Sequence, residues 1–236
     1  MHYLNVDDLP QAGIFVRQYF LGADVCQQLC HEIGAGASVP AYINELGGKD
    51  VLDEARRRTQ YVRVTDRAQK LVEQCFYAMR SELERYFSGT FGRLQQPQFL
   101  RYRRGDFFRA HQDASDDIRH SPEVRCRRLS LVVFLNRQSR VPEADAYCGG
   151  ELTLFRVDDD VDPHLHIAGQ AGLLVAFPPH VVHEVRPVTY GERYTVVTWY
   201  QGQDEGLENS GSQDSVSNDN NTNNTVERRD NGEDLG

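Results

Sequence analysis

The sequence predicts a mainly-β chain of the α+β class, a sandwich or barrel buttressed by helices from its N-terminal half. Three observations carry this expectation. Short alternating or apolar runs, separated by turn residues, follow one another from Gln98 to Tyr200. Helix-period patterns occur only before them. A hydrophobic share of 39% supports a substantial core, yet apolar residues nearly vanish after about residue 203.

Taken in order, Gly13-Ile14-Phe15-Val16 reads as a strand or entry segment. Val25, Leu29 and Ile33 fall at helical spacing over residues 23–33, closed by Gly34. Tyr61 to Val64 alternates like a strand. Thr65 or Asp66 then caps a helix to Phe87, with Leu71, Cys75, Met79, Leu83 and Phe87 as its buried stripe. Strands are expected at 98–102, 128–136, 151–156, 173–177, 183–188 and 193–199. Regular short strands of this kind build sandwiches and barrels. The resulting organisation is an N-terminal support region over 1–94, a strand-rich domain over 95–202 and a polar tail over 203–236. The tail is free of aromatic residues and buries too little to offset its ordering entropy, so it is expected to be disordered.

The tail also holds most of the charge. Residues 203–236 carry nine acids against Arg228 and Arg229, in a chain of formal net charge −9, which leaves the body near neutral. That balance argues against nucleic acid as a partner. Five cysteines without a Cys-x-x-Cys pair fit a reducing compartment. No apolar segment follows a basic start, and no run reaches the length of a membrane span. A cytoplasmic location is expected, with no membrane partner.

The chemistry-bearing residues are His111-Gln112-Asp113, then His183, then Arg193. Two neutral imidazoles and one carboxylate form the facial triad that holds Fe(II) and leaves positions open. His111 and Asp113 lie two apart and share a face of an extended strand. A lone His-x-Asp is more often a surface turn; the distant His183 and Arg193 change that balance. Arg193 offers a planar cation able to take a carboxylate through two parallel hydrogen bonds. His120, His164, His166 and His180 read as exposed-loop or partly satisfied strand histidines.

The flanking motifs are Tyr102-Arg103-Arg104-Gly105-Asp106 through His111-Gln112-Asp113, then Cys148-Gly149-Gly150-Glu151-Leu152, then His183-Glu184-Val185-Arg186-Pro187, then Gly191-Glu192-Arg193-Tyr194-Thr195 to Trp199. In this order they resemble the 2-oxoglutarate- and Fe(II)-dependent dioxygenases of the prolyl 4-hydroxylase type. The style is that of the oxygen-sensing prolyl hydroxylases and their bacterial relatives, over roughly residues 95–202. The resemblance implies a double-stranded β-helix (jelly roll). It implies His111, Asp113 and His183 as ligands of Fe(II), with Arg193, Tyr102, Thr195 and Leu152 around 2-oxoglutarate. The oxygen sensors place a pocket tyrosine before a Leu-Asn pair, whereas this chain has Phe134-Leu135-Asn136. One hydrogen bond to 2-oxoglutarate is therefore missing or supplied by another group.

The reaction implied is hydroxylation of a C–H bond with O2, releasing succinate and CO2, with L-ascorbate as reductant. Analogy points to a peptidyl proline, the alternative being a free amino acid or small metabolite. Residues 40–59, ending in Arg56-Arg57-Arg58, sit where relatives carry a substrate-covering loop. With Arg101, Arg103, Arg104 and Arg109 these arginines suggest recognition of an acidic peptide. Nucleic-acid demethylases with the same triad carry a second Arg six residues after the first, where this chain has Trp199. A jelly-roll ligand-binding module without turnover is the non-enzyme alternative.

Overall fold

A computed structural model describes residues 9–10, 13–44, 49–155 and 164–203. All of them fall within one unit, Met1–Asp204. The tail expected to be disordered lies, from residue 204 onward, outside the described residues.

Two antiparallel sheets face each other. The larger has seven strands, in the order Phe15–Arg17, Leu174–Phe177, Arg127–Phe134, Arg193–Gln201, Gln98–Tyr102, Gln60–Val62 and Ser38–Pro40. The smaller has five, in the order His164–Ile167, Leu152–Phe155, His183–Val185, Phe107–His111 and Arg57–Arg58. Strand side chains alternate between faces, and the two cores follow that alternation. Leu129, Leu131, Val133, Leu174, Ala176, Val196 and Tyr200 pack toward the helices. Val132, Phe134, Val175 and Phe177 point the other way, against Leu152, Leu154, Leu165 and Ile167 of the smaller sheet.

The helices Ala23–Ala35 and Asp66–Tyr86 cover the outer face of the larger sheet. Thr65 caps the second, its side chain accepting from the Ala68 N–H. The buried stripe differs from the expected one. Ala68, Val72, Phe76 and Leu83 are buried, while Leu71 is exposed. A strict four-residue step drifts about 40° per step around a helix of 3.6 residues per turn. A straight buried face therefore mixes steps of three and four, and Leu71 rotates out of it. The first helix runs past Gly34 to a cap at Gly36, where an added Cβ would meet Val62 Cγ1 at 2.6 Å.

Two further differences follow from local chemistry. The strand expected over 183–188 breaks after Val185, because Pro187 has no N–H to donate. The chain resumes as Val188–Tyr190 in a separate sheet beside Ala146–Gly149. Near the N-terminus, Arg57–Arg58 joins the smaller sheet and Gln60–Val62 joins the larger, with only Thr59 between them. Thr59 is buried, and its hydroxyl donates to the Arg101 carbonyl at 2.9 Å.

Candidate metal and anion site

A cavity of about 680 Å³ opens between the sheets. His111, Asp113, His183, Leu152, Tyr102, Arg193 and Thr195, the seven site residues expected from sequence, all line it. The smaller sheet supplies the histidines from adjacent strands, where His111 and His183 are direct antiparallel partners. Asp113 differs from expectation in one respect. The strand ends at His111, so a shared strand face does not aim the carboxylate. Its backbone N–H donates to the Pro179 carbonyl at 2.8 Å instead, and that bond turns the chain inward.

Each of the three residues offers one ligand atom, and these atoms all lie within 4.8 Å of one another. Nε2 of His111 is 3.5 Å from one Asp113 oxygen, and Nε2 of His183 is 3.5 Å from the other. The remaining ring nitrogens are fixed. His111 Nδ1 lies 2.8 Å from the Arg109 carbonyl and His183 Nδ1 lies 2.9 Å from that of Val181. A carbonyl accepts only a hydrogen, so each Nδ1 is a protonated nitrogen, which in the neutral ring leaves Nε2 with the lone pair. Burial, helped by His111, pushes His183 down to about 4 against the pull of Asp113, which keeps its ring neutral. Burial alone would raise the Asp113 carboxyl, but His183, His111 and Arg127 outweigh it and hold the group well below the usual carboxylate range. Two neutral imidazoles and a carboxylate on one side of a cavity suit a divalent first-row metal such as Fe(II).

Residues outside the triad hold it in place. Ser130 donates to Asp113 Oδ2 at 2.7 Å, and Arg127 Nη1 donates to the Asp113 carbonyl at 2.9 Å. Arg127 in turn lies 3.6 Å over the Trp199 ring. Phe108 stacks on His111 with ring centroids 3.5 Å apart. None of these follows from spacing. Ser130 shares its strand face with the inward-pointing Val132 and Phe134.

The larger sheet supplies the candidate anion site. Arg193 is 1% exposed and directly opposite Tyr102 in the ladder. Its guanidinium lies 5.0 Å from the Tyr102 ring and 5.1 Å from that of Phe134, and Nη1 donates to Thr195 Oγ1 at 3.2 Å. Nε and Nη2 are buried and have no acceptor. No carboxylate among the described residues pairs with it. A buried cation in that condition is costly unless an anion completes it.

Residues 97–201 match the family model described as the 2OG-Fe(II) oxygenase superfamily. That stretch is a 2OG-Fe(II) oxygenase domain. PKHD-type hydroxylases of Shewanella sp. strain ANA-3 and Burkholderia lata are 38% and 37% identical over 113 residues, 47% of this chain and 45% of theirs. The chain thus spans less than half the length of the curated relatives it matches. A prolyl-4-hydroxylase structure from Pseudomonas putida is 27% identical, with a TM-score of 0.58 over 84% of this chain and 97% of its own. A Trichoplax adhaerens prolyl hydroxylase, solved with a hypoxia inducible factor oxygen degradation domain peptide fragment, is 18% identical. It covers 83% of this chain and 86% of its own with a TM-score of 0.63, and it shares the fold. The domain is similar to those of prolyl 4-hydroxylases, and its two facing sheets form a jelly roll.

The arginines singled out in the sequence separate around this domain. Arg101 points to the helix side, where its guanidinium donates to the Gly34 carbonyl and to Ser38 and Gln60 side chains. It is a strut and cannot reach a substrate. Arg103 pairs with Glu192, and Arg109 Nε donates to the Ala55 carbonyl. Arg56 and Arg57 do line the cavity, beside Tyr42 and Tyr61. Among the described residues, no helix is long and apolar enough to cross a membrane.

Proposed function

We propose that the protein is an Fe(II)- and 2-oxoglutarate-dependent dioxygenase that hydroxylates a peptidyl proline. One observation carries the reading: a buried, acceptor-less Arg193 and a compact His111–Asp113–His183 triad line the same cavity from opposite sheets. His111, Asp113 and His183 hold the metal. Arg193 and Thr195 receive the distal carboxylate of 2-oxoglutarate, with Tyr102 and Leu152 as flanking walls. Fe(II) in that place supplies the oxidative chemistry that couples O2 and 2-oxoglutarate breakdown to C–H hydroxylation, giving succinate and CO2. Ascorbate serves to keep the metal reduced. All five cysteines are free thiols, which supports a cytoplasmic setting.

The peptide reading draws on the Trichoplax neighbour, whose structure holds a peptide, and on Tyr42, Arg57 and Tyr61 in the cavity lining. Its test is incubation with Fe(II), ascorbate, 2-oxoglutarate and a host lysate, followed by mass spectrometry. The expected result is the mass of one oxygen gained on a defined proline, absent with Asp113→Ala. Succinate release driven by the small-molecule fraction, with no modified peptide, would replace it with a free amino acid or metabolite substrate.

A further inference from the structure

The two nitrogens of Arg193 are not the only buried donors without an acceptor beside the Tyr102 wall of the cavity. The Tyr147 hydroxyl is also buried and unpartnered, on a side chain 0% exposed. Tyr147 stands on the strand Ala146–Gly149, and Arg193 is the leading charge acting on its phenol. Burial pushes that phenol up to about 12, so the hydroxyl keeps its proton and remains a donor. Its oxygen can accept from Arg193, but its own hydrogen then still lacks an acceptor.

Glycines keep the space that brings these groups together. A Cβ at Gly150 would stand 3.0 Å from Arg193 Cδ and 3.2 Å from Tyr147 Cε2. A Cβ at Gly169 would stand 2.1 Å from the Tyr147 oxygen and 2.7 Å from Phe134 Cδ1. The phenol therefore ends beside the Phe134 ring, which itself lies against the Arg193 guanidinium. Even with the phenol oxygen accepting from one Arg193 nitrogen, the Tyr147 hydrogen and the other nitrogen have no acceptor among the described residues, an arrangement that an anion resolves. We propose that Tyr147 donates its hydroxyl to the same carboxylate that Arg193 binds, supplying from another strand the hydrogen bond that Phe134 lacks the oxygen to make. The inference rests on Arg193 being the 2-oxoglutarate clamp.

The test is titration of 2-oxoglutarate into Mn(II)-loaded protein, followed by calorimetry, for wild type, Tyr147→Phe and the exchange variant Tyr147→Phe/Phe134→Tyr. A hydrogen bond to a charged group implies about a tenfold or larger rise in Kd for Tyr147→Phe. The exchange variant is expected to recover most of it, with Mn(II) affinity unchanged throughout. Without 2-oxoglutarate, Tyr147→Phe is expected to melt no lower than wild type, since it removes an unsatisfied buried hydroxyl. A folded Tyr147→Phe protein with wild-type Kd overturns the role of Tyr147 while leaving Arg193 intact. A wild-type protein that fails to bind 2-oxoglutarate overturns both.

Discussion

Replacing Arg193 with methionine separates what the residue does for the ligand from what it costs the fold. Two buried N–H groups await an acceptor, and each charge-assisted hydrogen bond is worth about 1.5–3 kcal/mol. Loss of both is expected to weaken 2-oxoglutarate by about 3–6 kcal/mol, roughly a hundredfold to ten-thousandfold in Kd. The ligand-free protein is expected to respond in the opposite sense. Exchanging a buried, unpaired charge for an apolar side chain of similar volume stabilises by about 1–4 kcal/mol. For a domain of this size that is a rise of about 2–16 °C in Tm. The lost bond to Thr195 and the lost ring contacts with Tyr102 and Phe134 favour the lower end. Differential scanning fluorimetry of the Mn(II) protein, with and without 2-oxoglutarate, reads both effects. A variant that melts several degrees lower without ligand, or that keeps the wild-type shift with it, would refute the reasoning.

Three other outcomes are expected. Ser130→Ala removes the donor to Asp113 Oδ2 and should weaken Mn(II) binding by about tenfold or more; unchanged affinity by titration calorimetry would exclude that role. His183 is held near 4, below its usual 6.5, so on acidification the unfolded chain takes up this proton first. Its contribution is complete above about pH 6.5 and lost toward pH 4, about 3 kcal/mol in all, and denaturant melts of the metal-free protein should show that loss; a flat profile across the window would contradict it. Truncation after Gln203 should leave Tm unchanged. Truncation after Tyr200 should lower it, because Gln201 and Gly202 exchange backbone hydrogen bonds with Gly92, Arg93 and Cys126.

Much of this architecture was legible because the signals are local. Alternation located the strand Gln98–Tyr102 without error, and the Thr65 cap located the start of the long helix. The triad and Arg193 were legible as residue types in an order, and the seven expected residues do share one cavity. Closure itself was not, since a pairing such as His111 with His183 joins strands distant in sequence. Asp113 shows the same limit at short range, its aim set by a carbonyl 66 positions away, at Pro179. Tyr147 and Arg127 were passed over for a related reason. A tyrosine in a turn-rich stretch and an arginine at a strand edge become informative only through the groups facing them.

The single residue between two short N-terminal strands has a consequence for how this catalytic unit is delimited. Arg57–Arg58 hydrogen-bonds to the strand that ends in His111, and Gln60–Val62 to the strand that ends in Tyr102, opposite Arg193. Thr59 is therefore a rivet between the wall that carries His111 and His183 and the wall that carries Arg193. The gap between those walls is the reach a bound co-substrate must span. It is gauged by a stretch of chain lying wholly outside residues 97–201, so a fragment trimmed to the family boundaries would keep His111, Asp113, His183 and Arg193 and lose the ruler that spaces them.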